Sequence, residues 1–246
     1  MLEPRDLDDF QPLSLPVSKA LLICIFMLSI LAAAGAASAL DLSDITKTDA
    51  TNALRTALSQ GATKAVSSLG KADGFLGNPQ VKIPLPPQLV KADRMMRRLG
   101  MGAKSDELVV MMNRAAEAAV PEARTLLVDA VKSMSVADAK AILGGGEDSA
   151  TQYFRTKTQG TLAERFKPII KQATSKVGAA RSYDALAGKL AQFGLIDAKS
   201  ASLDDYVTAQ TLDGLYKMIA AEELAIRKDP IGQSSRLLQR VFGAVQ

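Results

Sequence analysis

Only one stretch of this chain alternates as a β-strand does, Val81, Ile83 and Leu85 against Lys82 and Pro84, and no second stretch offers it a partner. A strand without a neighbour leaves backbone N–H and C=O groups unpaired, so the chain has no route to a sheet and must build its core from helices. That stretch belongs to a ribbon, GFLGNPQVKIPLPPQL from Gly74 to Leu89, in which Asn78-Pro79 signals a turn and Pro84, Pro86 and Pro87 impose extended geometry. Having one apolar side, the ribbon is either a strap laid across helices or an edge offered to a partner.

The rest of the chain is written in helical periods with clear punctuation. Residues 49–69 place Ala53/Leu54, Ala57/Leu58, Ala65/Val66 and Leu69 on one face behind Asp49 or Thr48 as N-cap. Gln88–Leu99 starts behind Pro86-Pro87 and stops at Gly100. Ser105–Val120 follows, then a helix opened by Pro121, then a short one with a capping box at Ser135 and Asp138 that ends at Gly144. Ser149 and Thr161 each open a helix, Pro168 implies a kink or a fresh start, and Ser202 with Asp205 marks another capping box before a long run that stops ahead of Pro230. Gly178 and Gly188 inside helical patterns imply close helix passage, and SSRLLQRVF is a last amphipathic piece.

The N-terminus reads as an address. Ala20 to Ala34 is an uncharged run behind Lys19 and ahead of GAASA, the order of a secretory signal peptide cleaved after Ala39. Residues 1–18, with Glu3, Asp6, Asp8 and Asp9 against Arg5, make a poor n-region, and translation from Val17 would leave a compact start. An uncleaved inner-membrane anchor is the alternative. Cleavage would remove the sole cysteine, Cys24, and leave 28 bases facing 22 acids, a net charge of +6. The expected location is the periplasm or the medium.

Absences narrow the chemistry. Without histidine, and without cysteine after cleavage, Ser-His-Asp and Cys-His nucleophiles and ordinary zinc sites are excluded. No motif asks for a cofactor or a metal. Tryptophan is missing and aromatics are few, so stacking surfaces for sugars or bases are scarce, and nucleic acid is not an expected partner.

GFLGNPQVKIPLP, MNRAAEAAVPEA, DAKAILGGGEDSATQYFR, FKPIIKQAT, YDALAGK, LDDYVTAQTLDGLYKMIA and IRKDPIG follow one another in the order seen in the bacterial domain-of-unknown-function family numbered 4197, which this chain resembles from about Leu42 to Phe242. The resemblance implies a helical, exported or lipid-anchored envelope protein and supplies no catalytic or binding residues. Ile23 before Cys24 departs from a lipoprotein signal, so the lipid anchor does not carry over.

Four constellations stand out. Lys82, Lys91, Arg94, Arg97, Arg98 and Lys104 against Asp93 alone form a basic run, either a surface for anionic lipid, acidic envelope polymer or an acidic protein, or a merely solvated face. Asn113, Arg114 and Glu117 read as a polar helix contact, with Arg114 and Glu117 paired at i,i+3. Glu107 and Glu117 lie ~15 Å apart along one helix, too far for a glycosidase couple, which needs roughly 5–9.5 Å. GGGEDSATQYF has the outline of a phosphate cradle but lacks its lysine and places Glu147 and Asp148 where the anion would sit, so it reads as a helix stop and start. Ser68-x-x-Lys71 copies the opening of a penicillin-recognising serine enzyme without its later elements.

The expectation is therefore an all-α fold, a compact multi-helix bundle with one extended Pro-rich strap at about residues 74–88, in a single domain spanning 40–246. Two function classes remain. The first is a non-catalytic envelope protein binding an acyl chain, an anionic envelope ligand or a protein, with peripheral membrane association. The second is a carboxylate-based hydrolase drawing together Glu117, Glu122 or Asp148.

Overall fold

The computed structural model describes residues 47–100, 102–175 and 202–228. The N-terminal apolar run, Gly178, Gly188 and the final amphipathic piece lie outside them. The described residues hold helices and turns and no strand: α1 (Lys47–Leu69), α2 (Pro87–Arg98), α3 (Ala103–Ala119), α4 (Ala123–Lys132), α5 (Val136–Leu143), α6 (Ser149–Thr174) and α7 (Leu203–Lys228). None of these helices is long and apolar enough to cross a membrane.

One hydrophobic cluster joins six of the seven helices. α6 and α7 pack along each other, α3 lies against α6, and α1 packs on α7 and α4. Among the described helices only α2 shares no comparable packing with another. Burial of aliphatic and aromatic side chains such as Leu54, Phe75, Met112, Leu127, Phe154, Phe166 and Tyr216 stabilises the cluster, each fully buried chain by about 1.5–3 kcal/mol.

The helices depart from the sequence pattern most clearly at two prolines. α6 is continuous through Thr161 and Pro168 rather than breaking at either. Its buried stripe, Ala150, Phe154, Thr158, Leu162, Phe166, Ile170 and Thr174, repeats every four residues without interruption. Packing of that stripe holds the helix together, and Pro168 sits on the solvent side, where water can satisfy the carbonyl its ring leaves unpaired. Pro121 sits inside a 3₁₀ turn, Val120–Glu122, and α4 begins only at Ala123.

The capping box at α5 is complete: the Asp138 N–H donates to Ser135 Oγ at 3.1 Å and the Ser135 N–H donates to Asp138 Oδ2 at 2.9 Å. At α7 only half of a box forms. Asp205 N–H donates to Ser202 Oγ at 3.3 Å, while the Asp205 carboxylate turns to Lys167 at 2.7 Å.

The ribbon between α1 and α2 is coiled in its first half. Turns close at Phe75–Asn78 and Asn78–Lys82, and Lys82–Pro86, free of helix and turn, hold the prolines that impose extended geometry. Within that part Ile83 is buried, Leu85 is half-buried, and Lys82 and Pro84 face solvent, with Val81 buried just before.

Candidate functional site

The lone strand-like segment finds its partner in a side chain. Asn113, fully buried on α3, accepts the Ile83 N–H at Oδ1 (2.8 Å) and donates from Nδ2 to the Ile83 carbonyl (2.9 Å) and to Val109 O (2.8 Å). Its amide thereby makes the two-way exchange that a residue of a neighbouring antiparallel strand would make. One turn further along α3, Glu117 accepts the N–H groups of Phe75 and Leu76, both at 3.1 Å, on one carboxylate oxygen, and Arg114 Nη1 donates to the other at 2.6 Å. Arg114 also reaches Asp73 at 2.8 Å, and its pKa is raised by these two acids, Glu117 first.

Further elements hold the same ribbon. Lys217 Nζ donates to Gln80 O and the Tyr206 hydroxyl to Pro84 O, both from α7. Phe75 lies so close to Gly214 of α7 that a Cβ added there would stand 2.6 Å from its ring. The segment is laid across α3 and α7 with its apolar side down, and the backbone of its central residue, Ile83, is paired within the chain.

A second buried acid escapes the sequence reading. Glu223 of α7 accepts from Ala150 N and Thr151 N, each at 2.9 Å, and from Thr151 Oγ1 at 2.8 Å. These are the first amides of α6, where an anion is favoured by free N–H groups and the helix dipole. The place a phosphate would take in the GGGEDSATQYF cradle is filled by the protein's own carboxylate. Arg227 completes the arrangement, bonding Glu223 at 2.9 Å, Ser149 Oγ at 2.7 Å and Ile142 O at 2.9 Å. Glu147 and Asp148 remain exposed, and Asp148 accepts from Gln152 rather than from a backbone amide of the helix start.

These placements bear on acid–base chemistry. Glu117 and Glu223 are buried, and the carboxylate oxygens of both are occupied by N–H donors and an arginine. Glu122 and Asp148 are exposed on separate elements. Among the described residues no three acids approach closely enough to hold a metal ion. Voids lined by Leu54, Leu58 and Ile226 beside Glu223 hold about 10 Å³, room for no acyl chain. A wider groove of about 410 Å³ runs open to solvent between α6 and α7, and Glu117, Glu122 and Asp148 are not in its lining.

The profile of the family described as Protein of unknown function (DUF4197) matches residues 44–243. The chain belongs to the DUF4197 family. No curated protein and no solved structure matches it.

In this DUF4197 protein the six basic residues of the 82–104 run do not share one environment. Arg97 is turned to acids: its guanidinium bonds Asp93 at 2.9 Å and also Asp106 of α3, which ties α2 to α3 across the turn at Gly100, where φ is +77°. The hydrogen bonds from Arg97 lower the pKa of both Asp93 and Asp106. Lys82 stands exposed on the extended segment and Lys104 in the first turn of α3. Lys91, Arg94 and Arg98 are exposed on α2 and form no ion pair among the described residues.

α2 is the most amphipathic of the described helices, and its described side chains are all half-buried or exposed. At 3.6 residues per turn, Lys91, Arg94 and Arg98 fall within about 60° of one another. Met95 and Leu99 come next around the axis and are 68% and 67% exposed. Leu89 packs against the core from the opposite side and anchors the helix.

Proposed function

We propose that this DUF4197 protein is an exported, non-catalytic binding protein that presents α2 to an anionic partner, with residues 40–246 as its single folded domain. The observation that carries the reading is the trio Lys91, Arg94 and Arg98, exposed and without an ion pair among the described residues, on the solvent side of a helix none of whose described side chains is fully buried. A solvated surface normally mixes charges of both signs. Here the acids nearest in sequence, Asp93 and Asp106, are both engaged by Arg97, and among the described residues the trio has no ion-pair partner. Export is supported by the order of residues 19–39, basic residue, apolar run and small-residue site.

A hydrolase reading has less to stand on, since the buried carboxylates Glu117 and Glu223 already serve backbone amides and arginines. Binding to immobilised polyphosphate as a function of salt tests the proposal. Three cations near an anionic surface contribute about 1 kcal/mol each, so changing Lys91, Arg94 and Arg98 together to Ser is expected to weaken binding about 100-fold at low salt. The same binding by wild type and triple variant would overturn it. Sequencing of the protein released by cells tests export, with Leu40 as the expected first residue.

A further inference from the structure

We infer that the anionic partner of α2 is a bilayer surface, with Met95 and Leu99 entering the boundary between headgroups and acyl chains while Lys91, Arg94 and Arg98 contact the phosphates. This rests on the binding role of α2 proposed above and specifies its partner. Charge alone would suit any polyanion. The apolar pair beside it is the additional observation: two large side chains one helical turn apart, each about two-thirds exposed, adjoin the cationic face instead of turning to the core.

A soluble polyanion would leave those two side chains in water, and burying them would require another apolar surface. A bilayer interface offers phosphate and hydrocarbon a few ångströms apart, which is the pairing an amphipathic helix lying in the interface plane uses. Anchorage is also suitable. The ribbon that leads into α2 is held by Asn113, Glu117 and Tyr206, and the far end of α2 is tied by Arg97 to Asp106, so the helix is presented already folded. Lys82 and Lys104 flank it and add positive charge at either end.

The test is co-sedimentation of the full chain, in the form in which cells yield it, with vesicles of phosphatidylglycerol and phosphatidylcholine and with vesicles of phosphatidylcholine alone. Two variants are compared with wild type, Lys91→Ser/Arg94→Ser/Arg98→Ser and Met95→Ser/Leu99→Ser, all at exposed positions so that neither perturbs the core. The inference predicts preference for the anionic vesicles, a loss of about 100-fold in the charge variant, and a further, separate loss of about tenfold in the apolar variant. If the charge variant loses binding while the apolar variant keeps it, the anionic-partner reading stands and the bilayer inference falls. If neither variant differs from wild type, both fall.

Discussion

Replacing Asn113 by Ala should detach the centre of the ribbon. The substitution removes the group that accepts Ile83 N–H at 2.8 Å and donates to Ile83 O at 2.9 Å, in a place where Ile83 is 1% exposed and water cannot substitute. Two buried backbone groups left unpaired cost about 1–3 kcal/mol each, so Asn113→Ala is expected to lower unfolding free energy by about 2–6 kcal/mol. Asn113→Asp separates the two halves of the interaction. Its carboxylate still accepts from Ile83 N–H but meets Ile83 O and Val109 O where Nδ2 donated, so the charged form is disfavoured. An acid whose pKa is raised on folding loses stability as pH rises above its unfolded value. Asn113→Asp should therefore lie closest to wild type in acid and furthest from it near neutrality. Urea unfolding across pH, with amide exchange read at Ile83, measures both effects. A cost below about 0.5 kcal/mol for Asn113→Ala with unchanged exchange at Ile83 would refute the clasp, because no lost buried hydrogen bond is that inexpensive.

Three other predictions follow from the same packing. Glu223→Gln removes the negative charge held against the first amides of α6 and turns an amide donor toward them, so stability should fall by about 3 kcal/mol in urea titration. Two glycines should respond in opposite directions: Gly160→Ala, with open space around its Cβ, should gain about 1 kcal/mol from helix propensity, whereas Gly214→Ala, 2.6 Å from the buried Phe75 ring, should lose about 1–3 kcal/mol, both read from denaturant midpoints. Asp138 has a pKa held below its ordinary 3.8 by the Ser135 hydroxyl and then by the Ser135 N–H. Its contribution is complete above 3.8 and disappears as pH falls through the lower folded value, so Asp138→Asn should flatten that part of an acid-unfolding curve.

Much of this fold is legible in the chain because local rules and packing agree. The helical period of residues 49–69, the box at Ser135 and Asp138, and the apolar alternation of Val81, Ile83 and Leu85 each reappear in the structure. Pro168 misleads because the proline rule is local, while the four-residue stripe from Ala150 to Thr174 is secured by α3, α4 and α7. At the site, Arg114 and Glu117 are recognisable as neighbours, yet nothing in the spacing says that Asn113 pairs with a residue 30 positions away. That pairing depends on tertiary approach. Glu223 left a readable trace: it continues the buried line Leu215 and Ile219, four residues apart, and a charge on such a line needs a buried partner. What the sequence could not supply was the partner, the start of α6. Of the six basic residues, Arg97 is the one that forms ion pairs among the described residues, because it lies on the side of α2 that faces Asp106, a direction fixed by the turn at Gly100.

The most direct measurement of the central proposal, that α2 is the binding surface, is amide hydrogen exchange mapped along the chain with and without vesicles rich in phosphatidylglycerol. The account predicts new protection concentrated in Pro87–Arg98, with the ribbon and the amides of α3, α6 and α7 unchanged. Protection that appears along the groove between α6 and α7, with none on α2, would contradict it.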